Sequence, residues 1–175
     1  MDTDVQILRN IEPLLKNSMV CGIQNHRFGT QMLNHVTEQG IDTITGSRAT
    51  WFCMQAGFFY AEPNHPFIRH CLDVMYENGN RPFLKANGET NQFVIDWRLM
   101  AELTGYGAIY RDENQYLKDI DLMLYNSSVF ATRKSKNRES YLVHWFDQSW
   151  SPAKTFKQRI IKFIKEKLFF LFRKI

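Results

Sequence analysis

The sequence predicts an α/β fold, and three observations carry that expectation. Short apolar runs bounded by turn residues, such as Val5 to Leu8 and Met19 to Ile23, read as buried strands. A longer apolar run, Trp51 to Ala61, leads into a helical stripe, so strand and helix patterns alternate along the chain. With 175 residues, 44% of them hydrophobic and 14% aromatic, the chain can bury a sizeable core and is too apolar for disorder.

The first element is a strand leaving an acidic pair, Asp2 and Asp4. Carboxylates one residue apart on an extended segment point to the same side of the backbone. Like charges so placed repel unless a cation lies between them. A divalent metal resolves that conflict; so does plain solvation at a frayed terminus. Asn10 to Leu15 reads as a helical turn, and Met19 to Ile23 as a second buried strand. From Gln24 to Thr50, polar residues with Gly29, Gly40 and Gly46 break every period, which predicts a long irregular surface segment.

In the strand Trp51 to Ala61, Gly57 leaves room for another backbone or a ligand. Glu62-Pro63-Asn64-His65-Pro66 turns the chain into a helix with Pro66 at its first position, Glu62 and His65 reading as turn residues. Phe67, Ile68, Cys71, Leu72 and Met75 form its apolar face, and Asn78-Gly79-Asn80 ends it. Arg81 to Asn91 is a connection. Gln92 to Thr104 reads as a helix with Phe93, Trp97, Met100 and Ala101 inward, stopped at Gly105. Four short strands follow, at Gly107 to Tyr110, Leu122 to Tyr125, Ser128 to Ala131 and Tyr141 to Val143. One continuous domain is expected over residues 1–150, and an appended helix over 151–175.

Charge is uneven. Residues 156–175 hold seven Lys/Arg and one Glu, so the net charge of +4 conceals a body at −2. Such a body argues against nucleic-acid binding, which needs positive charge spread over a folded face. In the tail, Ile160, Ile161, Ile164, Leu168, Leu171, Phe172 and Ile175 make one helical stripe opposite Arg159, Lys162, Lys165 and Arg173. A basic amphipathic helix of this kind suits an anionic membrane surface; packing on its own domain or a partner is the alternative. Cys21, Cys53 and Cys71 lack CxxC spacing and read as reduced core thiols. Neither a secretory leader nor a span of about 20 apolar residues is legible. The expected location is the cytoplasm, peripheral on the cytoplasmic face of a membrane.

His144-Trp145-Phe146-Asp147-Gln148-Ser149-Trp150 directly follows an apolar strand, where α/β folds expose ligand-binding side chains and where histidine is a ready metal ligand. Packing alone would also account for His144 and the two tryptophans. Taken in order, the Asp2-Thr3-Asp4 strand end, the Ala61-Glu62-Pro63-Asn64-His65-Pro66 turn and the closing His144 with Ser149-Trp150 resemble the glycosyltransferases with a DXD sugar-binding region. This is the family 32 type, which includes bacterial capsule and lipopolysaccharide transferases and fungal α-mannosyltransferases. The resemblance covers roughly residues 2 to 150.

That resemblance implies an A-type, Rossmann-like fold, retention at the anomeric carbon, a nucleotide-sugar donor and a glycan or lipid-linked acceptor. Carboxylate-held Mg²⁺ or Mn²⁺ would offset charge on the departing diphosphate. By similarity, Asp2 and Asp4 are catalytic: Asp4 binds the metal, and Asp2 contacts the donor ribose or the metal through water. His144 approaches the ion from the far strand, and Ser149 and Trp150 lie against diphosphate and sugar. Gln55 and Gly57 stand at the acceptor position, where the family tends to carry an Asn. Family members also have an upstream βαβ portion and a Gly-Gly-x-Tyr-x-Asp-x-Asp approach, whereas here Met1 directly precedes Asp2. The expectation is therefore the C-terminal portion of such an enzyme, from an internal start codon or a truncated gene. An inactive remnant serving as a membrane-surface or partner-binding module is the competing reading.

Overall fold

A computed structural model describes residues 4–25, 34–76 and 94–145. They form a mixed α/β structure with two sheets and few helices. The strands are β1 (Val5–Ile7), β2 (Met19–Asn25), β3 (Phe52–Ala61), β4 (Gln115–Leu117), β5 (Leu122–Tyr125), β6 (Phe130–Thr132) and β7 (Leu142–His144). The helices are α1 (Pro66–Tyr76) and α2 (Val94–Leu103), and a 3₁₀ turn at Glu12–Leu14 follows β1.

The larger sheet has the order β3-β2-β5-β4, with β2 and β5 parallel and the outer pairs antiparallel. Strand β2 is buried along its whole length, which explains why its residues Met19 to Ile23 read as a continuous apolar run. Its odd residues Met19, Cys21 and Ile23 join Phe52, Met54, Phe67, Met100, Leu103, Leu122 and Leu124 in the main core beneath the helices. Val20 packs the other way, with Val5, Phe58, Phe130 and Leu142, in a second core that couples the two sheets. The smaller sheet has the order β1-β7-β6, β1 antiparallel and β6 parallel to β7.

One irregularity shapes the interface between the sheets. The β2–β3 register runs from Ile23↔Met54 to Cys21↔Phe59, so β2 spends Gly22 where β3 spends residues 55–58. Such a bulge breaks the strict alternation of faces and re-aims the side chains it carries. Gln55 and Gly57 both lie within it.

Helix α1 starts as its sequence predicts. The His65 carbonyl accepts the Arg69 amide at 3.1 Å, and His65 Nδ1 accepts the Phe67 amide at 3.2 Å, which makes His65 the N-cap. Because Nδ1 accepts, Nε2 carries the ring proton and donates to Ile120 O at 2.7 Å. His65 is thus occupied in joining α1 to the sheet. His70 Nε2 meets Glu102 Oε2 at 2.9 Å and ties α1 to α2.

Several local expectations need correction. Gln24 and Asn25 extend β2 and are buried, because the strand continues opposite Phe52 and Cys53. Leu72 is 47% exposed, so the apolar face of α1 is narrower than its pattern. Beyond α2, the 3₁₀ turn Thr104–Tyr106 carries the chain through Gly105 to Gly107. Gly107 to Tyr110 is no strand; Ala108 and Tyr110 are buried by packing, while β4 forms instead at Gln115–Leu117. The helix end at Asn78 to Asn80, the connection 81–91 and the appended helix 151–175 lie outside the described residues. No helix among the described residues is long and apolar enough to cross a membrane.

The turn into β5 contains a carboxylate with a built receptor. Asp121 takes a left-handed conformation, φ 44°, and accepts Asn17 Nδ2 at 2.8 Å, the Ser18 amide at 2.8 Å and Tyr116 Oη at 3.0 Å. The Asn17 and Ser18 hydrogen bonds hold its carboxyl down at about 2. A depressed carboxyl stabilises the fold above its unfolded range, and that contribution is lost as pH falls from near 3.8 towards 2. Asp121→Asn keeps the left-handed turn but not the charge. It should cost roughly 1 kcal/mol at pH 6 and almost nothing at pH 2. Urea midpoints at the two pH values check this.

Candidate functional site

Asp4 and His144 are 140 positions apart in sequence and adjacent in space. The antiparallel register Val5↔His144 places Asp4 opposite Trp145, whose amide donates to Asp4 O at 3.0 Å. Across that rung Asp4 Oδ1 lies 3.2 Å from His144 Nε2. The two side chains are only 16% and 10% exposed. A carboxylate oxygen and an imidazole nitrogen are therefore gathered at one end of the smaller sheet.

The wall behind His144 is Gly57. A Cβ at that position would lie 2.6 Å from His144 Nδ1 and 2.8 Å from Cε1. The bulge in β3 and the missing side chain together give the ring its seat. Gln55 is fully enclosed, its Nε2 donating to Phe130 O at 3.1 Å across the sheet interface. Its Oε1 has no hydrogen-bond partner among the described residues. Gln55 and Gly57 thus meet the smaller sheet, through β6 and β7 respectively. Asp2, Ser149 and Trp150 lie outside the described residues.

Two neighbours escaped the sequence reading. Trp145 Nε1 donates to Gln6 Oε1 at 3.2 Å, which pins the indole on β1. Lys136 Nζ stands over the same ring, 5.6 Å from its centroid. No sequence pattern singled out Gln6: β1 is three residues long, and its alternation turns Gln6 away from the face of Val5 and His144.

The donor set suits a hard divalent cation. Oxygen and imidazole donors at about 2.1 Å on adjacent octahedral positions are about 3.0 Å apart, close to the Asp4–His144 separation. Their low exposure would keep such an ion in a weakly screened setting. Among the described residues no group of three or more His, Cys, Asp and Glu converges, so further ligands would come from Asp2, substrate or water. Comparison of the chain with family models, with curated proteins and with solved structures finds no match.

Proposed function

We propose that the chain carries the catalytic portion of a metal-dependent glycosyltransferase of A-type, Rossmann-like fold. It would move a sugar from a nucleotide-sugar to a glycan or glycolipid acceptor in surface polysaccharide synthesis. The observation that carries the reading is the meeting of Asp4 with His144, the two residues that the motif order pairs across the length of the chain. Asp4 and His144 hold Mg²⁺ or Mn²⁺, and Asp2 completes the acidic pair. Ser149 and Trp150 face the donor. Bound there, the cation acts as a Lewis acid towards the departing diphosphate. Gln55 and Gly57 shape the floor under His144, and the acceptor lies beyond them. The basic tail keeps the protein at the cytoplasmic face of a membrane, near a lipid-linked acceptor.

The test is metal binding followed by donor turnover. Mn²⁺ should bind the chain, as read by water-proton relaxation. Asp4→Asn should weaken it by roughly tenfold or more through loss of a charged ligand. In a protein that also carries the family's upstream portion, hydrolysis of, or transfer from, a nucleotide-sugar should require the metal and vanish in Asp4→Asn, while the chain alone should show little or no transfer. Full turnover in chelator, or unchanged Mn²⁺ affinity in that variant, would contradict the assignment. A chain that binds anionic vesicles but neither Mn²⁺ nor nucleotide-sugar would favour the inactive module.

A further inference from the structure

Resting on the glycosyltransferase reading, we propose that Lys136, seated over Trp145 on a locked basic turn, holds the diphosphate of the donor beside Asp4 and His144. Strand register brings the parts together. Thr132 pairs with His144 in parallel and Val5 pairs with His144 in antiparallel, so the end of β6, the end of β7 and the start of β1 share one rim. The connection that leaves β6 at that rim carries Arg133, Lys134, Lys136 and Arg138 against a single acidic residue, Glu139. This is a local reversal of sign in a body whose net charge is −2.

The turn is rigid where it matters. The Thr132 amide donates to Ser135 Oγ at 2.9 Å, Ser135 Oγ donates to Ser127 O at 2.7 Å, and the Lys136 amide closes on Thr132 O at 3.0 Å. Lys136 therefore leaves a fixed backbone, and its ammonium rests 5.6 Å from the centre of an indole that is itself fixed. That indole belongs to the residue after His144, and its backbone amide is bonded to Asp4 O at 3.0 Å. A cation over an aromatic face is held without spending its own hydrogen-bond donors. Its three N–H groups stay available for phosphate oxygens.

Charge balance gives this cation a task. A nucleoside diphosphate leaves with roughly −3, its terminal phosphate alone carrying about −1.5 to −2. Placed near the carboxylate of Asp4, that charge exceeds what one divalent ion can neutralise. A fixed ammonium on the same rim makes up part of the deficit, and in a partly enclosed site it does so with little reorganisation. Contact with anionic lipid headgroups would use the same chemistry. A lysine ammonium set over the ring of the residue next to a nearly buried histidine fits a discrete diphosphate better than a membrane plane.

The experiment titrates the 175-residue chain with inorganic pyrophosphate by calorimetry, with and without Mn²⁺. Parallel flotation uses vesicles of phosphatidylcholine with and without phosphatidylglycerol. Lys136 is exposed, so Lys136→Gln should melt with the parent protein. That variant should lose roughly tenfold or more in pyrophosphate affinity, while its Mn²⁺ affinity without pyrophosphate stays within about twofold. Lys118→Gln, on an exposed turn of the other sheet, should change neither. Equal pyrophosphate binding by the Lys136→Gln chain overturns the proposal, as does failure of the unaltered chain to bind pyrophosphate. Loss of vesicle binding with pyrophosphate binding intact hands the turn to a membrane and overturns it too. Lys136-dependent pyrophosphate binding without any Mn²⁺ binding supports the anion site while sinking the metal assignment, so the two readings fail separately.

Discussion

Gly57→Ala should drive His144 off Asp4 and remove most of the Mn²⁺ affinity proposed for that pair. The added methyl would stand 2.6 Å from Nδ1, 2.8 Å from Cε1 and 3.0 Å from Cγ of the His144 ring, so the ring has to move as a whole. Little space is available to it. His144 is the last residue of β7, its strand is bonded on both sides, and its side chain is 10% exposed. Overpacking of this kind costs about 1–3 kcal/mol, or a fall in melting temperature of roughly 3–10 °C for a chain of this size. The informative readout is the metal, because a general loss of stability would not change affinity in protein that is still folded. Mn²⁺ relaxation below the melting range should show at least about tenfold weaker binding, near that of His144→Gln. Affinity equal to the parent's would mean that the Asp4–His144 pair does not hold the ion.

The parts of the fold legible in advance were those where pattern and burial agree. Strand β2 has both faces covered, and its Met19 to Ile23 portion reads as an unbroken apolar run. Helix α1 announces itself through Pro66 and the spacing of Phe67 and Cys71, both buried. Legibility fails where a residue's neighbours come from distant sequence. Gly107 to Tyr110 looks like a strand because it is buried, yet Ala108 and Tyr110 serve as packing groups and the Tyr110 amide bonds to Glu38 O instead of to a ladder. Strand β4 is only three residues long, too short for a period of two to register.

The candidate site shows the same division. The resemblance in motif order pointed to Asp4 and His144 together, which no periodicity could do, and they stand 3.2 Å apart. That Gly57 backs the His144 ring depends on the bulge across residues 55–58, and a bulge leaves no trace in alternation until the partner strand is known. Lys136 sits in a stretch that reads as an ordinary charged turn. Its placement over Trp145 follows from the parallel pairing of β6 with β7, which joins segments separated by a nine-residue connection, 133–141.

The largest loss of stability is expected from Gly40→Ala, for two reasons that can be measured apart. Gly40 has φ 80°, a left-handed conformation in which an L side chain costs about 1–2 kcal/mol. A Cβ there would also overlap the aromatic ring of Tyr110. That ring is buried and stacks on Phe52, 5.4 Å between centroids, within the main core. Around it the backbone is committed, the Gly40 amide donating to Thr37 O at 2.9 Å and Gly40 O accepting the Ala49 amide at 2.8 Å. Neither the turn nor the ring can yield without opening the core, so overpacking adds about 1–3 kcal/mol. The sum, about 2–5 kcal/mol, is a large share of the 5–15 kcal/mol that holds an average domain together. Gly46→Ala is the internal control, because Gly46 has φ 68° with no atom within 4 Å of an added Cβ. It should show the backbone cost alone. Paired urea melts of the two variants should therefore differ by the clash with Tyr110, and Tyr110→Leu should shrink that difference when combined with Gly40→Ala. Equal destabilisation at the two glycines would mean that Tyr110 does not press on Gly40, and that the segment 34–50 is held to the core by other contacts.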